Sequence, residues 1–222
     1  MPHFSEQVDT LERWRLFPGL ERVDEAEGIV LTFDDGPDED ATPGVLDALD
    51  AAAARATFFL VGEQIERHPA LARELVERGH DLQLHGYGHE AHDRLSPDAA
   101  RRDLERGAGA LRDVTGLEPR FYRPPYGRFS EGSYEACQAL RLEAVYWSAW
   151  GTDWETISPE RIAELVIPDL AAGAVVLLHD SSRYGHRPSA RPTVEALPLI
   201  AARVAELGTP FLTLVDALDG RP

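Results

Sequence analysis

Residues 28–40 read "GIVLTFDDGPDED". From Gly28 to Phe33 the run carries no charge and is rich in β-branched and aromatic side chains, which reads as a buried strand. It ends in two adjacent carboxylates, Asp34 and Asp35, and Gly36-Pro37 then turns the chain. Carboxylates this close repel one another unless something positive lies between them or one is protonated. An acid pair at the mouth of a buried strand therefore either caps the turn that follows or faces a cation.

Short apolar runs alternate with helical spacing along the rest of the chain. Residues 56–62, 80–86, 143–150, 173–180 and 210–218 read as further strands, and "RFYRPPYG" (120–127) as short and extended. Between them lie helical patterns such as "ALARELVERG", closed by Gly79. Two helices open with a capping serine followed by proline, Ser96-Pro97 and Ser158-Pro159. Strand–helix alternation this regular implies a parallel sheet with helices outside. The expected fold is α/β, an irregular (β/α) barrel of about seven parallel strands. Residues 1–27 are expected as an N-terminal extension packed on the barrel, and residues 28–222 as the main domain.

The chain of 222 residues has a formal net charge of −17, which argues against nucleic acid and anionic membranes as partners. It contains no lysine and no asparagine, so all 22 basic residues are arginine. That fits a compositionally biased genome or an acidic surface adapted to salt. One cysteine, Cys137, excludes an intrachain disulfide; its helical context reads as core. The opening residues lack a basic segment followed by an apolar one, so the expected location is cytoplasmic.

Active sites of parallel α/β folds collect at the C-terminal ends of the strands. Asp34 and Asp35 end the first strand, His85 and His89 the third, Arg123 the fourth, Asp153 the fifth and His179 the sixth. "HGYGH" (85–89) spaces two imidazoles so that both can meet one metal ion. Two histidines and a carboxylate form an open ligand set that leaves room for water. Asp35 can complete it, and the cation then relieves the repulsion between the aspartates. Asp34 is left free to take a proton from the activated water. His92 either approaches the ion or stands behind its ligands. His3, His68, His80 and His186 read as surface residues, and Trp147 as barrel wall. The loop 181–192 borders the cleft or is simply solvated; beside a cleft, its arginines can meet an anionic ligand.

Five segments in order resemble the polysaccharide deacetylases of the NodB-homology type, carbohydrate esterase family 4. They are "TFDDG" from Thr32, "HGYGH" from His85, "RPPY" from Arg123, "WGTDW" from Trp150 and "LLH" from Leu177. The resemblance runs over roughly residues 28 to 216 and implies a metal-dependent barrel that removes acetyl groups from sugars. By position, Asp35, His85 and His89 would hold a divalent metal, usually zinc, with cobalt or nickel as alternatives. Asp34 would be the general base, balanced by Arg123. His179 would be the general acid, kept charged by Asp153. The N–H of Tyr126 would stabilise the oxyanion. Leu177 and Trp154 would wall the acetyl pocket, with Pro125 and Trp150 on the substrate side.

The chain departs from the family pattern twice. Gly86 stands where the family has a serine or threonine hydroxyl supporting the metal loop. A backbone carbonyl, a water or Glu90 is expected to orient His89 instead. Trp150 stands where the fourth motif begins with Asp. The resemblance implies an N-acetylated saccharide as substrate. The competing readings are an amidohydrolase of a small non-sugar amide and a catalytically silent carbohydrate-binding barrel. Asp34 and His179 speak against the silent barrel, since binding alone needs neither base nor acid.

Overall fold

The computed structural model describes residues 16–220. Eight strands form one parallel sheet: β1 (Ile29–Asp34), β2 (Thr57–Leu60), β3 (Asp81–Leu84), β4 (Phe121–Tyr122), β5 (Glu143–Ala144), β6 (Ala149–Trp150), β7 (Val175–His179) and β8 (Phe211–Leu212). Their spatial order is β5-β4-β3-β2-β1-β7-β6, with β8 added beside β1. The sheet curls into the irregular α/β barrel expected from the alternating pattern. Its longest strand, β1, is central and pairs with β2, β7 and β8.

Side-chain alternation along β1 separates two layers. Leu31 and Phe33 point outward with Val176, Leu178, Phe58 and Leu60 into the core beneath the helices. Val30 points the other way, joining Phe59, Phe121, Val145 and Val175 inside the barrel. Asp34 is in register with His179, so alternation carries both onto the inner face at the barrel mouth. The polar pair is thus fixed by the same pleat that buries the apolar residues.

The outer helices are α1 (Thr42–Ala51), α2 (Gly62–Arg67), α3 (Pro69–Glu77), α4 (Pro97–Thr115), α5 (Glu131–Ala139), α6 (Pro159–Val166), α7 (Arg191–Leu207) and α8 (Leu214–Asp219). Ser96 and Ser158 cap α4 and α6 as their sequences predict, accepting from Ala99 and Arg161 N–H at 3.3 Å. Among the described residues, no helix is long and apolar enough to cross a membrane.

Three elements differ from the sequence reading. Residues 143–150 are not one strand: β5 and β6 are two-residue pieces that do not pair with each other. Leu20 bridges the segment between them, with its N–H bonded to Ala144 O and its carbonyl to Tyr146 N–H, each at 2.8 Å. The apolar run 210–218 is β8 followed by α8. Thr213 caps that helix by accepting from Asp216 N–H at 3.1 Å, and its hydroxyl donates to the Asp216 carboxylate. Short apolar runs fit a strand or a helix equally well, and here the cap decides. The third difference is α2, a six-residue helix that starts at Gly62, where the expected strand 56–62 was to end, and runs through residues assigned to no element.

Cys137 is buried, and burial pushes its thiol up to about 12, as befits a core residue. His80 is not a surface residue: burial pulls its pKa down to about 4, and its Nδ1 accepts from Ala56 N–H at 3.3 Å. Trp147 is half-buried and packs against the inner clusters. His186 is exposed and pairs with Glu155, whereas His68 is half-buried near Glu39. His3 and the rest of residues 1–15 of the expected extension lie outside the described residues.

Candidate active site

Asp35 follows the end of β1, and His85 follows the end of β3 with its N–H bonded to Leu60 O. His89 closes the loop after β3. The ligand atoms of Asp35, His85 and His89 all lie within 4.8 Å of one another, and all three residues are buried. His85 Nδ1 is 2.7 Å from the Arg123 carbonyl oxygen. A carbonyl only accepts, so Nδ1 carries the proton and Nε2 presents a lone pair to the cluster. Asp35 Oδ1 is buried without a properly oriented hydrogen bond, although Nε2 of His89 and of His85 lie 3.0 and 3.5 Å away. A carboxylate oxygen and two imidazole nitrogens that converge without satisfying one another fit a divalent cation. Burial opposes ionisation of Asp35, but the nearby imidazoles, His89 foremost, hold its carboxyl well below the usual range.

Asp35, His89 and Tyr126 all have positive φ, at 85°, 55° and 60°. Non-glycine residues adopt this conformation at a cost of about 1–3 kcal/mol each, and such strain clusters at functional sites. The surrounding contacts hold it. Tyr184 stacks on the His89 ring with centroids 4.0 Å apart, and Tyr126 meets it edge-on at 4.9 Å.

Asp34 stands beside this cluster in a different setting. Arg123 is fully buried, and its Nη1 donates to Asp34 Oδ1 at 2.7 Å and to Thr32 Oγ1 at 2.8 Å. Its Nη2 donates to Tyr146 O at 2.8 Å, and the guanidinium lies 4.1 Å from the centre of the Phe59 ring. One carboxylate oxygen is therefore tied down. The other, Oδ2, is 3.8 Å from His85 Nε2 and faces the candidate metal cluster.

Across the mouth, His179 Nδ1 donates to Asp153 Oδ1 at 2.8 Å, which leaves Nε2 directed away from that carboxylate. Burial lowers the His179 pKa, but the charge and hydrogen bond of Asp153 outweigh it, and the pKa rises to about 9. Asp35 and Asp34 add to that rise. Asp153 is itself fully buried and accepts from His179 N–H at 2.9 Å and Thr193 Oγ1 at 2.7 Å. Arg187 approaches it at 3.5 Å while donating to the carbonyls of His179 and Ser181. Against burial, the His179 and Arg187 charges keep the Asp153 carboxyl below its ordinary value.

The expected pocket residues are less uniform. Trp154 is half-buried and edge-on to the His179 ring at 5.6 Å. Leu177 is buried on β7 in register with Thr32 and with the half-buried Trp150. Pro125 is buried in the turn that exposes the Tyr126 side chain.

Several residues of the site carry no motif signal. Asp180 is buried and accepts from Gly36 N–H at 3.1 Å and Thr42 Oγ1 at 2.6 Å, clamping the turn behind the two aspartates. A Cβ at Gly36 would collide with this carboxylate, which explains the glycine. Tyr184 belongs to the loop 181–192, which does border the cleft. Arg187 of that loop is not offered to an anionic ligand, because it is buried and its Nη1 and Nη2 are spent on Asp153, Thr193 and two carbonyls. His92 does not join the ligand cluster; it is wholly buried against Asp103 and Tyr122. Glu90 is exposed, and His89 Nδ1 has no hydrogen-bond partner, so Glu90 does not orient that ring.

A family model described as polysaccharide deacetylase matches residues 22–145. A peptidoglycan-N-acetylglucosamine deacetylase of Bacillus cereus is 33% identical over 84% of this chain and 66% of its own length. A chitooligosaccharide deacetylase of Bradyrhizobium is 33% identical over 75% of this chain and 77% of its own length. The chain thus spans slightly less than two thirds of the Bacillus relative. The solved structure of the peptidoglycan N-acetylglucosamine deacetylase Bc1960, bound to a hydroxamate-type benzamide, superposes with a TM-score of 0.81 at 30% identity, covering 88% of this chain and 89% of that one. Together with the fold and the arrangement at the barrel mouth, these matches place the chain in the polysaccharide deacetylase family.

Proposed function

We propose that this protein is a metal-dependent deacetylase that hydrolyses acetyl groups, chiefly N-acetyl, from a saccharide or oligosaccharide. The observation that carries the reading is the opposition at the barrel mouth. A carboxylate paired with a buried arginine stands on one side of a candidate metal cluster, and a charged histidine paired with a buried aspartate stands on the other. Amide hydrolysis needs that polarity, a proton acceptor for water and a proton donor for the leaving nitrogen.

Asp35, His85 and His89 would hold the metal, with zinc favoured by the nitrogen-rich set and cobalt or nickel able to replace it. A bound divalent ion supplies a Lewis acid that lowers the pKa of water and draws charge from the acetyl oxygen. Asp34 takes the proton of the attacking water at Oδ2, while Arg123 fixes its other oxygen. The water oxygen bonds to the acetyl carbon and the carbonyl electron pair moves onto oxygen; the return of that pair then breaks the carbon–nitrogen bond. His179 gives the proton on Nε2 to the departing nitrogen, so the products are acetate and a free amine. Asp153 holds the imidazole in line and charged. The N–H of Tyr126 donates to the developing oxyanion. Leu177, Pro125, Trp154 and Trp150 shape the pocket, the aromatic faces suiting sugar rings. The names of the relatives favour a glycan bearing N-acetylglucosamine over a small non-sugar amide.

Acetate release from N-acetylated chito-oligosaccharides tests the proposal. Turnover is expected, with its loss on chelation and its return on adding zinc or cobalt. Undiminished activity in metal-free protein, or no acetate from any N-acetylated oligosaccharide, would overturn it.

A further inference from the structure

The loop between His85 and His89 is gripped on both edges. On one side, the carbonyls of Gly86 and Tyr87 accept from the N–H groups of Gly62 and Glu63, each at 2.9 Å, at the start of α2. On the other, Asp103 from α4 takes the next two amides in the loop. Its Oδ2 accepts from Tyr87 N–H at 2.8 Å and its Oδ1 from Gly88 N–H at 3.1 Å. Helix and loop approach so closely that a Cβ on Gly107 would lie 2.9 Å from Gly86 backbone atoms.

Asp103 is supported in turn. His92 Nε2 donates to Oδ2 at 3.1 Å, since a carboxylate only accepts. Nδ1 of the same ring then accepts from the Tyr122 hydroxyl at 2.9 Å. Burial keeps that phenol protonated, well above its ordinary range. The chain Tyr122–His92–Asp103 thus ends on the backbone of the loop that carries two candidate metal ligands. Gly86, at φ 83°, completes the picture: a Cβ there would lie 2.7 Å from Asp103 Oδ2. A side chain at 86 and the carboxylate of Asp103 compete for one place.

We propose that Asp103 is a positioning residue for the metal site, and that Gly86 and Asp103 are a matched pair in which the carboxylate from α4 does the work of a side chain at 86. Asp103 does not touch substrate. It acts through the Tyr87 and Gly88 amides, which set the path from His85 to His89 and hold His89 at its positive φ. The metal readout below rests on the proposed deacetylase site; the amide readout does not.

The test uses the full chain with Asp103→Ala, Asp103→Asn, Gly86→Ser and the Gly86→Ser/Asp103→Ala double variant. Zinc affinity is measured by titration, and hydrogen exchange at the Tyr87 and Gly88 amides is followed in metal-free protein. Asp103→Ala is expected to weaken zinc binding by about 10- to 100-fold, the usual effect of losing support behind a ligand, and to speed exchange at both amides. Asp103→Asn, which keeps one acceptor oxygen and the residue's shape, is expected to fall between; it carries the test if the alanine variant does not fold. Gly86→Ser alone is expected to weaken zinc binding, and to cost less when Asp103 is absent, because contacting residues are not additive. Zinc affinity within twofold of wild type in Asp103→Ala, or unchanged exchange at both amides, would overturn the proposal. A wild type that binds no zinc would refute the metal-site assignment, leaving the exchange measurement to decide the role of Asp103.

Discussion

The two sides of the barrel mouth are built from the same residue types in opposite order. On the β1 side a carboxylate faces the cleft and a buried cation holds it; on the β7 side a cation faces the cleft and a buried carboxylate holds it. Arg123 is closed in by Phe59, Thr32 and the Tyr146 carbonyl, so Asp34 has one oxygen fixed and one free. Asp153 is closed in by Thr193 and Arg187, so His179 has one nitrogen fixed and one free. The difference lies in how firmly each partner is compensated. Asp34 relies on one guanidinium, whereas Asp153 is shared between a histidine, a hydroxyl and a second guanidinium. The sign of the buried partner thus sets the charge each group presents to the cleft, and in the proposed reaction it would set which accepts a proton and which donates one.

Breaking the β1 side has the largest expected effect. Arg123→Leu leaves the buried Asp34 carboxylate without its cation, and severing one partner of a buried pair costs about 3–5 kcal/mol. At about 2–4 °C per kcal/mol for a chain of this size, the melting temperature should fall by roughly 6–20 °C. Hydrolysis should be lost together with that stability. A melting temperature within a degree or two of wild type would mean that the pair is not buried as described. Arg187→Leu should cost less, since Asp153 keeps Thr193 and His179.

The β7 side is sharpened by pH. As the proposed proton donor, His179 would be active below its pKa of about 9, and turnover should then fall as pH rises through that value. Asp153→Asn removes the charge that raises it, so the falling limb should move to lower pH and the rate at neutral pH should drop. The stability sign agrees. A histidine whose folded pKa is raised from 6.5 contributes stability that is full below 6.5 and lost as pH rises through about 9. Asp153→Asn should therefore narrow the stability gap between pH 6 and pH 10. An unmoved alkaline limb in the variant would separate Asp153 from the protonation of His179.

Much of this arrangement is legible in the sequence, because it rides on strand periodicity. Asp34 and His179 end apolar strands, and the pleat that buries Phe33 and Leu178 turns them both inward. The partners Arg123 and Asp153 are named by motif and located by the ends of neighbouring segments. What was not legible comes from contacts between distant segments without a periodic mark. Asp180 reaches Thr42 across 138 residues, and Asp103 reaches the loop between His85 and His89 from the middle of a helix whose exposed face is full of charged residues. Nothing in "RRDLERG" distinguishes that aspartate from its solvated neighbours. The run 210–218 misled for a different reason: its apolar spacing suits two structures, and a threonine cap selected the helix.

The smallest effects are expected at the pocket wall. Trp154 lies against His179, so Trp154→Ala should raise KM by about 2- to 10-fold, the value of one aromatic contact. Trp150→Ala is expected to change KM less, because Trp150 lies in register with Leu177, one layer deeper in the barrel than His179. Equal changes in both would assign them a common sugar-stacking role.

The most direct test compares the adjacent aspartates, to which the proposed function gives unlike roles. Zinc titration and acetate release are measured together on Asp34→Asn and Asp35→Ala. Asp34→Asn should bind zinc within a few-fold of wild type while losing hydrolysis by about 10²- to 10⁴-fold, the range for removing a general base. Asp35→Ala should lose both, because Asp35 alone of the two belongs to the converging cluster with His85 and His89. Equal loss of zinc in the two variants, or hydrolysis that survives Asp34→Asn, would contradict it.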